Sequence, residues 1–339
     1  MCTQYARRFS RRRFLGGLTV AGMGGFLGLT PRRVAAEPPP ETTRLRVLQA
    51  PPAVCEAPVQ VAEELLRGEG FSEVQSVRVP GTANLQKIAA GEIDLGLQAI
   101  PYAVRRIAAG DPVVFLAGVH VGCFELFGHE RVRTIRDLKG KVVVVSTLGG
   151  NSHTLTASMA AYVGLDPQQD ITWVAQGGEV RQFFIDGKAD AFMAVPPQPQ
   201  ELRARKIGQV VVSTTTDRPW SQYFCCLLMA NRAFVRKHPA ATKRAVRALL
   251  KATDVCAREP ESTARRLVDR GLTDNYDVAL EVLKAIPYGQ WREYDAEDTV
   301  RFFALRLHEA GMIKATPQQI IAQGTDWRFL HELKKELKG

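Results

Sequence analysis

The chain has 339 residues, of which 45% are hydrophobic and 24% charged, which fits a globular protein with a large core and two domains rather than one. Its net charge of +10 suggests nucleic acid, but Arg7, Arg8, Arg11, Arg12, Arg13, Arg32 and Arg33 all precede the first acidic residue, Glu37. Without those seven the remainder carries +3, too little for a nucleic-acid footprint, so DNA and RNA are excluded as partners.

The first 36 residues combine a basic start, a glycine-laden apolar run from Phe14 to Leu29, and small residues at Ala35 and Ala36, the plan of an export signal. Ser10-Arg11-Arg12-Arg13-Phe14-Leu15 resembles the twin-arginine motif, whose receptor accepts weakly hydrophobic segments. The run falls short of the roughly 20 strongly apolar residues of a membrane anchor. Residues 1–36 are therefore expected to be a signal cleaved near Ala36, leaving the protein in the periplasm, with a proline-rich linker at 37–43. Five cysteines remain after Cys2 departs, an odd number that leaves at least one thiol free or paired between chains, and apolar-like burial in the core is the simplest role for them.

Short apolar strands then alternate with amphipathic helices, the pattern of a mainly parallel α/β sheet. Strands are expected at Leu45–Ala50, in VQSVRV, IDLGLQ and PVVFLAGV, with helices between them and Thr82 capping the second. A second unit opens at IRDLKGKVVVVS and continues through ITWVAQ, DAFMAV and QVVVST, again with helices between. From SQYFCCLLMANRAFV onward one apolar strand-like run precedes a helical tail. A first domain is interrupted by a second and then resumed, with expected bounds of 44–121 plus 223–339 for one lobe and 122–222 for the other. Clefts between such lobes are where ligands bind.

The run VVVVSTLGGNSHTL ends a strand, turns on glycines and opens a helix that Asn151 or Ser152 could cap. It lacks the GxxxxGK[ST] of a phosphate loop and the GxGxxG of a dinucleotide site. No GxSxG elbow occurs, and Ser146 and His153 share one short segment rather than facing across a site, which excludes a serine triad. Metal ligation finds no support in spacing: there is no CxxC and no Cys/His cluster in sequence, and His120 with His129, or His308 with His331, lie at unsuitable intervals. Asp94 and Asp190, which open two strands, are expected to hold turns.

The segments GTANLQKIAAGEIDLGLQAIPYAVRRIAAGDPVVFLAG, IRDLKGKVVVVSTLGGNSH and FFIDGKADAFMAVPP resemble, in this order and spacing, the periplasmic substrate-binding proteins of the nitrate/sulfonate/taurine type, a family that includes binders of the thiamine pyrimidine precursor. The resemblance covers about Leu45 to Val235. It implies an α/β, two-lobed type II periplasmic-binding fold with an interdomain cleft and a helical C-terminal tail packed on the first lobe. It also implies a small-molecule ligand, a non-enzymatic role without cofactor, and partnership of a monomeric receptor with the permease and ATPase of an ABC importer. Carried onto this chain, the pocket segments give Gln49 and Cys55 in the first-lobe loop, Gln98 in the turn after IDLGL, Ser146, Thr147 and Asn151 in the glycine turn, Glu179, and Trp220, Gln222 and Tyr223 at the crossover. Trp220 and Tyr223 would supply an aromatic wall. No Lys or Arg lies within these loops, apart from Arg181 and Arg218 at their margins, and Glu56, Glu125 and Glu179 are near. A neutral or amine-bearing ligand is therefore as well suited as an anion. The alternatives are a periplasmic sensor or adaptor with the same clamshell, and an enzyme. QYFCCLL resembles the cysteine-rich segment of thiamine-pyrimidine synthases, which need iron and a histidine near the cofactor.

Overall fold

Among the described residues, ten strands fall into two five-stranded sheets. The computed structural model describes residues 37–49, 54–79 and 83–337. The export signal with its cleavage position near Ala36, the Thr82 cap and the tip of the Gln49–Cys55 loop lie outside the described residues. The first sheet comprises β1 (Arg44–Gln49), β2 (Glu73–Arg78), β3 (Leu95–Ala99) and β4 (Val113–Val121). The second comprises β5 (Glu125–Gly128), β6 (Lys141–Val145), β7 (Ile171–Ala175), β8 (Ala191–Ala194) and β9 (Gln209–Ser213). The chain then returns to the first sheet with β10 (Phe224–Asn231).

The orders are β2-β1-β3-β10-β4 and β7-β6-β8-β5-β9, the same arrangement twice. Each sheet holds one strand that runs against its neighbours: β10 is antiparallel to β3 and β4, and β5 to β8 and β9. The sheets are thus mixed, where the sequence pattern suggests mainly parallel pairing. Both reversed strands come directly after a crossing between the sheets, so the crossing itself turns the chain around. All residues of β4 and β10 are buried, which explains their unbroken apolar runs. β5 is a four-residue strand with no alternating pattern and escapes a sequence reading.

Two crossings join the sheets. Gly122–Phe124 leads from β4 to β5, and Thr214–Tyr223 from β9 to β10. They run side by side: Cys123 N–H donates to Thr215 Oγ1 at 3.1 Å, and Phe124 N–H to Thr214 Oγ1 at 2.9 Å. Gly122 takes φ +68°, and a Cβ there would lie 2.4 Å from Thr215 Oγ1, so close approach of the crossings needs glycine. The C-terminal helices pack on the first sheet, with Pro239–Arg258 and Arg328–Glu336 against β4. The helix Ala296–Glu309 touches Ile100–Ala108 after β3 and Asn151–Tyr162 after β6, so it contacts elements of both sheets. No described helix is long and apolar enough to cross a membrane.

Candidate functional site

The carboxyl ends of parallel strands leave a crevice where helix N-termini and loop side chains converge. Here the ends of β3, β6 and β8 surround a cavity of about 200 Å³, lined among others by Cys55, Gln98, Tyr102, Asn151, Val195 and Cys226. Glu56, Asn84, Leu97, Ala99 and Phe124 complete the wall. The volume lies below the roughly 300–1,000 Å³ of sites for drug-sized ligands, which suits a compact guest. A larger depression of about 570 Å³ between Glu293 and Lys334 lies on the C-terminal helices, away from these strand ends.

Two amides give the cavity its polarity. Gln98, the fourth residue of β3, is 4% exposed, and its Nε2 donor has no partner. The Oδ1 acceptor of Asn151 is likewise buried without one. Asn151 opens the helix Asn151–Tyr162 but does not cap it: the N-cap is Gly150, with no side-chain bond. A buried unpaired amide costs about 1–3 kcal/mol, a penalty that a ligand's complementary donor or acceptor would relieve. No Lys or Arg is among the described lining residues, whereas Glu56 is. Burial, opposed by the nearby Arg106 and Arg105, pushes the Tyr102 hydroxyl up, so it remains a neutral donor at ordinary pH.

The structure brings together Cys55, Gln98 and Asn151 from the set read in the sequence and places the others elsewhere. Gln49 is occupied, donating to Gln60 Oε1 at 2.9 Å and accepting from Arg78 Nε at 3.3 Å. Ser146 is half-buried, and Thr147, Glu179 and Gln222 are exposed and outside the cavity wall. Trp220 and Tyr223 face the C-terminal helices instead of forming the cavity's aromatic wall: Tyr223 stacks on Phe302 with ring centroids 4.0 Å apart, and Trp220 meets Tyr162 and Phe302 edge-on. They pack where the crossings meet the tail. Asn84, Phe124 and Val195 line the cavity without having been singled out, and Cys226, noted in QYFCCLL only for that segment's resemblance, lines it too, because only tertiary packing assigns them a wall.

Below the cavity lies a thiol-rich floor. All five described cysteines are free thiols, and all are buried. Sγ of Cys55, Sγ of Cys123 and a ring nitrogen of His120 lie within 4.8 Å of one another, although their sequence spacing signals no cluster. Cys123 Sγ is 3.3 Å from Cys225 Sγ, which is 3.7 Å from Cys226 Sγ. Neighbouring residues of a regular strand point to opposite faces, but Cys225 is skipped in the β10–β4 ladder, a bulge that accounts for two adjacent sulfurs in contact.

Comparison with known proteins agrees with this architecture. The nitrate-binding protein NrtA of Synechocystis PCC 6803 superposes with a TM-score of 0.71 at 15% identity, over 89% of this chain and 90% of that one. The alkanesulfonate-binding protein SsuA of Xanthomonas axonopodis pv. citri, bound to MOPS, superposes at 0.65 and 19% identity, over 86% and 100%. These likenesses establish the two-lobed α/β fold of periplasmic binding proteins. In sequence, the 4-amino-5-hydroxymethyl-2-methylpyrimidine phosphate synthases THI5 and THI12 of Saccharomyces cerevisiae are each 26% identical over 196 residues, 54% of this chain. The match spans 57% of the length of each of these relatives. The family model described as NMT1/THI5 like matches residues 73–263, more than half of the chain, and the protein belongs to that NMT1/THI5-like family.

Proposed function

We propose that the protein is an exported solute receptor without a catalytic step. It captures a compact neutral or amine-bearing molecule between lobes formed by residues 44–121 plus 223–339 and by residues 122–222. It then presents the captured molecule, as a monomer in the periplasm, to the permease and ATPase of an ABC importer. The observation that carries this reading is the cavity at the strand ends, into which Gln98 and Asn151 bring an unpartnered donor and an unpartnered acceptor. The fold shared with nitrate- and sulfonate-binding proteins supports the receptor role. The wall argues for a different guest, since a phosphate, nitrate or sulfonate would meet Glu56 and, among the described lining residues, no cation. The pyrimidine in the names of the yeast relatives makes 4-amino-5-hydroxymethyl-2-methylpyrimidine the first compound to try.

Thermal unfolding against that pyrimidine, purines, aromatic acids, nitrate and alkyl sulfonates tests the reading. A ligand at 1,000 times its Kd adds about 4 kcal/mol of stability. Gln98→Ala and Asn151→Ala should each weaken binding about 3- to 10-fold, the worth of one neutral hydrogen bond. Turnover of the pyrimidine, or a panel in which nothing moves the unfolding midpoint, would refute the receptor.

A further inference from the structure

We propose that Cys55, His120, Cys123 and Cys226 form a binding site for a thiophilic, four-coordinate d-block cation of the zinc class, set in the floor of the cleft. Thiolate and imidazole are the donors such cations prefer, usually in tetrahedral geometry. A tetrahedral site with metal–sulfur bonds of about 2.3 Å needs donor atoms about 3.8 Å apart. The ligand atoms of Cys55, His120 and Cys123 already lie within 4.8 Å of one another, so only a small contraction is required.

Four further observations support the site. His120 is fully buried, and its Nε2 has no partner. With Nδ1–H donating to Val121 O at 3.3 Å, Nε2 is left as a lone-pair donor, the tautomer a metal ligand needs. Tyr288 holds the first ligand in place: its hydroxyl donates to Cys55 O at 3.0 Å, and its ring meets His120 edge-on at 5.4 Å. Cys123 takes φ +107°, a conformation that non-glycine residues adopt only where the surroundings impose it, and Thr215 fixes its N–H. Cys226 stands opposite His120 in the β10–β4 ladder, and its Sγ is 3.7 Å from that of Cys225, which touches Cys123 Sγ at 3.3 Å, so a fourth sulfur adjoins the three clustered ligands. A cation would displace the thiol protons to solvent.

The ligands come from the first sheet's loop, the end of β4, the first crossing and β10 after the second. A bound cation would therefore staple both crossings, and Cys55 and Cys226 would present it to the cavity above. This inference does not depend on which solute the cavity takes.

Co(II) is the probe, added to the full chain after reduction and metal removal, with the five cysteines of the body titrated as free thiols in denaturant. One equivalent should bind, giving the near-ultraviolet thiolate-to-cobalt band and the intense visible bands of a tetrahedral centre. About two to three protons should be released per cation. Zn(II) should displace Co(II) at lower concentration than Fe(II) added anaerobically. His120→Asn and Cys123→Ser should each weaken binding by more than the roughly 10- to 100-fold that an outer-sphere partner costs, whereas Cys256→Ser should leave it unchanged. If a variant fails to fold, proton release by the wild-type chain decides. Reduced protein that takes up no Co(II), uptake without thiolate bands or proton release, or bands that persist in both folded ligand variants would each overturn the site. Preference for Fe(II) over Zn(II) would overturn the zinc assignment.

Discussion

Gly149 takes φ +74°, and a Cβ added there would lie 2.4 Å from Arg105 Nη1. Its carbonyl accepts from that same atom at 2.8 Å, and its N–H donates to His153 Nδ1 at 3.0 Å. The glycine turn was legible in the sequence, but its partner was not, because Arg105 lies 44 residues earlier on another element. Gly149→Ala should cost about 1–2 kcal/mol from the backbone conformation alone, plus the clash with Arg105. Urea unfolding measures the loss as a lower midpoint with unchanged slope. In an Arg105→Ala background the same substitution should cost less, because only the backbone term remains, and equal costs in both backgrounds would rule out the contact. Burial, and then the charge of Arg105, hold His153 below its ordinary value. The native state therefore binds fewer protons than the unfolded chain. The neutral ring's contribution is complete above the unfolded value near 6.5 and is lost as the pH falls from there toward the lower folded value. His153→Asn, which keeps an acceptor for Gly149 N–H, should flatten the decline of stability between about pH 7 and 5. Matching pH profiles for variant and wild type would refute this.

Both sheets use one device to fix their central parallel pair. Asp94, just before β3, accepts from Arg46 N–H of β1 at 2.7 Å, and Asp190, just before β8, accepts from Val142 N–H of β6 at 2.8 Å. In each case the aspartate's own N–H returns a bond to the same residue's carbonyl, Arg46 O at 2.9 Å and Val142 O at 2.8 Å. The first lock is further tied by Arg46 Nη2 to Asp94 Oδ1 at 2.6 Å, with Asp94 only 4% exposed. Asp94→Ala should therefore cost about 3–5 kcal/mol, since it strands a strand N–H and a guanidinium, and Asp190→Ala, with no cationic partner among the described residues, about 1–3 kcal/mol. Equilibrium unfolding of the two variants checks the order. The sequence showed each aspartate opening a strand after a glycine turn, but not that its carboxylate reaches the next strand over. Strand positions were legible for nine of the ten strands because apolar runs mark them. The reversed direction of β5 and β10 was not, since periodicity carries no information about sense. The thiol floor was hidden for a related reason: a first-sheet loop, the first crossing and β10 bring its cysteines together, and Cys123 and Cys225, in contact through their sulfurs, are 102 residues apart in sequence.

At the scale of the molecule, one polar contact joins the helix after β3 in the first sheet to the loop after β6 in the second: Arg105 Nη1 to Gly149 O at 2.8 Å. It lies beside the cavity, since Tyr102 on the same helix and Asn151 two residues beyond Gly149 both line the wall. A hydrogen bond from a charged group is worth about 1.5–3 kcal/mol when buried, and this one, only partly buried, belongs at the low end. On the proposed receptor reading, such a bond forms when the lobes close, and its value then falls on the closed side of the equilibrium. Removing it leaves the cavity wall intact but reduces the closed fraction, and the apparent Kd rises as the reciprocal of that fraction. Arg105→Ala should therefore weaken the solute's binding by up to about 10-fold, for about 1.4 kcal/mol of lost closure, with the change appearing mainly as faster dissociation. Stopped-flow displacement measures this directly. Gln98→Ala provides the contrast, since it removes a contact to the ligand while leaving the Arg105–Gly149 bond in place. An Arg105→Ala protein that binds and releases its solute at the wild-type rates would show that the bond joins two surfaces that never part.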